Sequence, residues 1–371
     1  MDPLSTARLI YVAPAAGLSG VGDYADDLVA TFAPHFASVT DYRIETEGAE
    51  SVRDVVRHRR RVRDLVHAEA RPTVVHFEQS SGSLSTFWAS AVDLGQSAIV
   101  TATVHDPPHP VWWPLKTRGV ARNRALHHAV HYPARALHTA LQRRVMKGRT
   151  VFALTDTGAR SIELPYPSTR TVAARIFVPE RPTSPALSER PTAVGLFGHV
   201  YGGKGFDLVA DLRRAIDPDI DIVVAGRGTA SLPTVPGVRV LGEVNGADED
   251  AFFASIRFLV VPYRKHGAYG PSYPASSTIT RAFAYRTPVV CFTEGSLAET
   301  VRRGGAIGGD TVEELGAVVN AAVHDTVRLR ELADAVDSVS REDALSRCAI
   351  TFLDTWRSLL SHRAGLETAR S

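Results

Sequence analysis

Short runs of Val, Ile, Leu and Ala, each of strand length and each closed by a polar residue or glycine, alternate along this chain with stretches of helical periodicity. Leu9–Val12, Pro72–Glu78, Ala98–Asp106 and Thr150–Leu154 read as buried strands. After the first of them, Val21, Tyr24, Ala25, Leu28, Val29 and Phe32 fall at i, i+3, i+4, i+7, i+8 and i+11, which is one apolar helix face. Val52–Ala70 has the pattern of a basic amphipathic helix. Strands that alternate with helices form βαβ units and a parallel sheet. The alternation breaks once, at FVPERPTSPALSERPT (Phe177–Thr192), whose Pro, Ser and charge read as a linker. It restarts with TAVGLFGHV, IDIVVAG, VRVLGEV, RFLVVPY and PVVCFT as strands. A chain of 371 residues is too long for one ordinary core. The expected architecture is therefore α/β, with two Rossmann-like doubly wound domains at residues 1–178 and 193–345, a linker at 179–192 and a final amphipathic helix over 346–371.

Apolar and charged contents of 44% and 22% are those of a soluble globular protein. No stretch approaches the roughly 18 apolar residues that span a bilayer, and the N-terminus does not read as a signal peptide. Cys291 and Cys348 are the only cysteines, which suits a reducing cytoplasm. Lysine is scarce (Lys116, Lys147, Lys204, Lys265) and most basic charge is Arg. From Pro107 to Thr155 there is no acid, while Lys116, Arg118, Arg122, Arg124, Arg135, Arg143, Arg144, Lys147 and Arg149 follow the pair Trp112-Trp113. That segment suits an anionic membrane surface, with the protein peripheral on the inner face. The alternative is a solvated basic face. No groove-reading motif or stacking platform points to nucleic acid.

Doubly wound sheets bind ligands beyond the carboxyl ends of their strands, so the residues after each strand are the candidates. In LSGVGDY, Gly20 and Gly22 let backbone approach a phosphate or sugar, or simply pack a tight turn. His105-Asp106 closes IVTATV, where an imidazole can donate to a sugar or act as acid/base. FGHVYGGKGFDLV puts Lys204 beside Gly203 at a helix start, which suits a diphosphate. VVAGRGT repeats the strand-then-glycine pattern at Gly226. In GPSYPASSTITRAFAYRTPVV, Ser276, Ser277 and Thr278 precede a helix, so hydroxyls and unpaired helix amides lie together. No H-E-x-x-H, Cys/His cluster or D-x-D pair is present, and metal-independent chemistry is expected.

In this order and spacing, SGVGDY, IVTATVHD, GHVYGGKGFDLV, VVAGRG, VRVLGEV, FLVVPY and AFAYRTPVV resemble the GT-B glycosyltransferases, most closely glycosyltransferase family 4, over almost the whole chain. The resemblance implies two domains facing across a cleft, acceptor bound by the first and donor by the second, with the last helix crossing back to the N-terminal domain. It implies a hexosyltransferase-like enzyme that moves a sugar from a nucleotide-diphospho-sugar to a glycan or lipid-linked saccharide, with retention and with no cofactor or metal. The family's paired glutamates fall at Tyr273 and Arg281 here, so neither acid is present. Tyr273 can still hydrogen-bond a sugar; Arg281 can bond a phosphate or pair with Glu294 or Glu299. The expected catalytic residues are His105 and Lys204. Donor binding is expected from Gly20, Gly22, His199, Gly203, Lys204, Gly226, Gly242, Val244, Tyr273, Ser276, Ser277, Thr278 and Arg281. Acceptor binding is expected from Gly20, Tyr24, Glu78, His105, Asp106 and Trp112. The rival readings are a non-catalytic GT-B subunit that binds a partner or sugar nucleotide, motivated by the lost acids, and a nucleotide-sugar epimerase.

Overall fold

A computed structural model describes residues 2–17, 20–45, 50–92, 94, 98–121, 133–264, 266–267 and 270–368. Arg122, Arg124 and Lys265, named above, lie outside the described residues. The chain forms two compact units. One holds the chain up to Arg175, Tyr273–Ala275 and the chain from Leu345; the other holds Ile176–Ser272 and Ser276–Ala344.

The first unit is built on six parallel strands: β1 (Arg8–Pro14), β2 (Ser38–Ile44), β3 (Thr73–Gln79), β4 (Ile99–Val104), β5 (Thr150–Ala153) and β6 (Arg170–Ala173). Their order is β2-β1-β3-β4-β5-β6, a flavodoxin-like winding whose direction switches between β1 and β3. β1 and β3 are buried along their whole length. The edge strand β2 is exposed at Ser38 and Asp41 and carries a polar sequence, so no apolar run announces it. The final helix, Leu345–Thr368, packs on this same unit. Its Trp356 is fully buried, edge-on to Phe32 at 4.8 Å and to His76 at 5.4 Å, and its indole N–H donates to Thr101 Oγ1 at 3.1 Å.

The second unit holds β7 (Ala193–Phe197), β8 (Asp221–Ala225), β9 (Val238–Gly242), β10 (Phe258–Val261), the antiparallel pair β11 (His266–Gly267) and β12 (Gly270–Pro271), β13 (Val289–Phe292) and β14 (Ala306–Gly309). The parallel sheet runs β14-β13-β10-β7-β8-β9. This is the dinucleotide-fold order, with its switch point between β7 and β10. Apolar cores cover both faces, one around Phe197, Phe252, Phe253 and Ile279, the other around Leu212, Val224, Phe258 and Leu315.

The linker-like composition of residues 179–192 is misleading about burial. Leu187 and Arg190 are both buried in the second unit. The Arg190 guanidinium donates to the carbonyls of Pro185, Phe253, Ile256 and Tyr285 and to Thr287 Oγ1, at 2.8–3.2 Å. Burial pulls its pKa down to about 10. The charge is tolerated because its donors are satisfied by backbone that would otherwise be orphaned. Arg190→Met should leave those buried carbonyls unpaired and destabilise the protein by at least about 3 kcal/mol. The urea midpoint, read by far-UV circular dichroism, checks this; an unchanged midpoint would show that water takes over the carbonyls.

Candidate functional site

In the first unit, a buried polar cluster occupies β1, β3 and β4 next to the switch point. β3 and β4 pair in register, with His76 opposite Thr101 and Glu78 opposite Thr103. Alternation along each strand puts His76 and Glu78 of β3, and Thr101 and Thr103 of β4 with His105 just beyond it, on the same face of the sheet. Glu78 is fully buried. Its Oε2 accepts from His105 Nε2 at 2.5 Å. Its Oε1 accepts from the Tyr11 hydroxyl and lies 3.2 Å from His76 Nε2 and 3.4 Å from Thr103 Oγ1. Burial pushes the carboxyl pKa up, but the bonds from His105 and His76 overcome this and hold it far below the usual range. Glu78 is thus an anion stabilised by several donors.

These contacts revise the expected acceptor residues. Glu78 has no free face for an acceptor; both oxygens serve the cluster. Tyr24 is buried and meets the His105 ring edge-on at 5.3 Å, so it packs the imidazole instead of reaching a ligand. Asp106 Oδ2 accepts the Ser81 amide at 2.9 Å and fastens a loop. The backbone N–H of Trp112, a half-buried residue, donates to the Ser81 carbonyl at 3.1 Å. Gly22 is a packing glycine: a Cβ there would lie 2.3 Å from the Ala15 carbonyl oxygen. Gly20 is exposed, with open space around it. Leu18 and Ser19 of the same turn lie outside the described residues. His105 remains, half-buried at the end of β4, with Nε2 engaged by Glu78. Sequence reasoning missed Tyr11, His76, Thr101 and Thr103. The available signal was polar residues at every second position of strands otherwise rich in Val.

In the second unit, the loops after β7 and β10 converge with the helix Ser277–Ala284. Gly198 has φ 131°, and a Cβ there would come within 3.3 Å of Thr278 Oγ1 and 3.9 Å of the Tyr263 hydroxyl. Gly205 (φ 73°) abuts Pro262, whose carbonyl oxygen would be 2.2 Å from a Cβ. These approaches need glycine. Between these glycines, Lys204 Nζ sits 3.9 Å from the Tyr263 ring centroid and 5.4 Å from that of Tyr201. Burial pulls its pKa down, but Tyr263 and Tyr201 outweigh this and hold it above the ordinary lysine value. Lys204 is a half-buried cation backed by aromatic rings.

Ser276 caps the helix without using its side chain, and its Oγ is buried with no hydrogen-bond partner among the described residues. Ser277 is exposed and Thr278 buried. The amides of Ser277 and Thr278 precede the first helix bonds, made by Ile279 and Thr280 to the Ser276 carbonyl. A lysine, an unused buried hydroxyl and unpaired helix amides form an anion-binding set. His199 is exposed and edge-on to Tyr201 at 5.9 Å. Gly203 accepts the Arg264 amide through its carbonyl.

Several other expected donor residues have structural duties. A Cβ on Gly226 would meet the Gly198 carbonyl oxygen at 2.1 Å, and its amide bonds the Gly242 carbonyl. The Val244 side chain is buried in the apolar core. Tyr273 goes with the first unit, its amide bonded to the Pro107 carbonyl at 2.8 Å. Arg281 pairs with neither Glu294 nor Glu299. Its Nη1 meets Glu249 Oε2 at 3.0 Å, and the guanidinium lies 5.7 Å from the Phe197 ring. Glu249 is buried and also accepts from the Tyr285 hydroxyl at 3.1 Å.

Residues 192–339 match the family model described as glycosyl transferases group 1. Among solved structures, a glycosyltransferase from Rickettsia africae superposes with TM-score 0.66 at 11% identity, covering 96% of this chain and 99% of that one. Anabaena HepE, solved in complex with UDP-glucose, gives TM-score 0.65 at 11% identity, covering 95% and 99%. A mutant of TarM from S. aureus, solved with fondaparinux, alpha-GlcNAc-glycerol and UDP, gives 0.55 at 13%, covering 81% and 58%. No curated protein matches the sequence. The fold class is GT-B. With a group 1 glycosyltransferase domain in its second unit, the protein is a glycosyltransferase.

Ser276→Ala should leave the melting temperature unchanged or slightly raised, because the hydroxyl it removes makes no bond in the free protein. The same change should weaken pyrophosphate binding by about 10- to 100-fold, a loss of about one hydrogen bond to a charged group. Calorimetry measures both; unchanged affinity would take Ser276 out of the anion site.

Proposed function

We propose that the protein transfers a sugar from a nucleotide-diphospho-sugar to a glycan or lipid-linked saccharide, without a metal ion, as a member of glycosyltransferase family 4. The second unit binds the donor and the first the acceptor. The observation that carries this reading is the anion-binding set at the β7/β10 switch point: Lys204, the unpartnered Ser276 hydroxyl and the amides of Ser277 and Thr278. As the bond to the anomeric carbon breaks, negative charge grows on the leaving diphosphate. A fixed cation and a helix N-terminus stabilise that charge more than they stabilise the ground state. The UDP-glucose seen with HepE and the UDP and alpha-GlcNAc-glycerol seen with the TarM mutant support a nucleotide-sugar donor and a glycan-type acceptor.

The absent glutamates have a specific consequence. At the position of the family's second acid, Arg281 brings a positive charge and pairs with Glu249, a carboxylate that it shares with Arg181. The ribose contact must then come from other groups, and donor affinity rests more heavily on the diphosphate.

The test is a nucleotide-release assay across nucleotide sugars and acceptors. Wild type should turn over at least one pair. Lys204→Ala should lower kcat by about 10²- to 10³-fold, the range found when one transition-state donor is removed. Nucleotide binding with no release for any pair would favour the non-catalytic subunit.

The membrane reading also stands as a proposal. No helix among the described residues is long and apolar enough to cross a membrane. The basic helix Val52–His67 exposes Val52 and Val56 beside Arg53, Arg57, Arg60 and Arg61, in addition to the acid-free segment noted above. Flotation with phosphatidylglycerol vesicles but not with phosphatidylcholine vesicles is the expected result; no flotation at physiological salt would remove the reading.

A further inference from the structure

Glu249 meets two arginines, and one of them, Arg281, belongs to the helix that carries the anion-binding set of the second unit. Arg281 Nη1 donates to Glu249 Oε2 at 3.0 Å, and Arg181 Nε lies 3.5 Å from Oε1. In the helix Ser277–Ala284, Arg281 follows Ser277 at i+4, so the two share a face. Long helical side chains lean toward the N-terminus of their helix, which turns the Arg281 guanidinium toward the first-turn amides. Its surroundings agree. The guanidinium lies 5.7 Å from the ring of Phe197, the residue before Gly198, and a Cβ on Gly198 would come within 3.3 Å of Thr278 Oγ1. The Arg281 side chain is 34% exposed, whereas Glu249 is buried. The cation is the member of the pair with room to move.

Its release leaves Glu249 provided for. The Tyr285 hydroxyl stays 3.1 Å from Oε1, and Arg181 is already at ion-pair distance, with its own side chain partly exposed. Glu249 also lies in the first turn of the helix Ala247–Ala254, where free amides favour an anion. A buried carboxylate stripped of its only cation would make such a move costly. This one keeps a cation, a hydroxyl donor and a helix N-terminus.

We propose that Arg281 is a further diphosphate-binding residue held in reserve by Glu249: an anion at Ser276–Thr278 draws the guanidinium off Glu249, and Arg181 takes its place. This rests on the donor-site reading of that set. The planar guanidinium offers two parallel N–H groups to phosphate oxygens and adds a second cation to Lys204. Glu249 acts as a built-in competitor, and it lowers ligand affinity by the fraction of molecules in which it holds Arg281.

Calorimetric titration of pyrophosphate into the full-length protein tests the exchange. Arg281→Gln should weaken binding by about 10-fold, one charge-assisted bond less the cost of leaving Glu249. Glu249→Gln should tighten it by about 3- to 5-fold, the worth of a partly exposed ion pair. Arg181→Gln should weaken it by about 3- to 5-fold, because Glu249 then keeps Arg281. With Arg281→Gln already present, Glu249→Gln and Arg181→Gln should each change affinity by less than about 2-fold. Charges acting only through space would give the same shifts with and without Arg281, and that result would overturn the proposal. An unchanged affinity in Arg281→Gln would overturn it too. The Arg181 and Arg281 variants complete a cycle by themselves should Glu249→Gln fail to fold. A wild type that binds no pyrophosphate would overturn the exchange together with the anion set. A wild type that shows this pattern, yet releases nucleotide from no donor, would uphold the exchange and remove only the transfer reading.

Discussion

The Glu78 carboxylate lies fully buried in the first unit, and much of that unit's arrangement follows from it. A buried anion is costly unless its oxygens are well supplied with donors. The donors come from separate strands: Tyr11 on β1, His76 on β3, Thr103 on β4 and His105 just beyond it. They meet only if β1, β3 and β4 lie side by side in the observed register. The C-terminal helix closes the arrangement, since Trp356 both covers the cluster and starts its hydrogen-bond chain. Packing and chemistry therefore depend on the same bonds.

The second unit solves a different problem. Its candidate site gathers positive charge: a lysine against aromatic rings, and a helix whose first amides point out of its own hydrogen-bond ladder. Glycine does the spacing. Gly198, Gly205 and Gly226 bring loops to within contact distances at which a side chain would collide. Arg281 shows how a position can change sign without collapse. Arg281 pairs with Glu249, which also meets Arg181 and is held by the Tyr285 hydroxyl.

The alternation of strands and helices was legible because fully buried parallel strands read as continuous apolar runs. β2, β6 and β14 escaped for physical reasons, β6 because Arg-Thr-Val-Ala is a short edge strand with no fully buried residue. β2 is an edge strand with polar residues, and β14 is Ala-Ile-Gly-Gly, where Gly308 is needed to clear Thr293. The linker-like segment hid Arg190 because nothing local shows that backbone carbonyls from distant residues will surround it. Among candidate residues, the positions of His105, Lys204 and Ser276 just after strands or before a helix were legible. Glu78 was legible as polar but was given the wrong duty. Strand alternation places side chains on faces, and only the pairing of β3 with β4 and β1 shows that its face is closed to ligands.

By itself the sequence determined the α/β class and the places where loops leave the sheets, because these depend on local periodicity and on glycine. Tertiary structure alone decided which polar residues face a ligand and which face each other. Glu78, Tyr24 and Arg281 all looked available along the chain. Each proved committed to a partner distant in sequence, since a polar group taken out of water must find its hydrogen bonds wherever the fold supplies them.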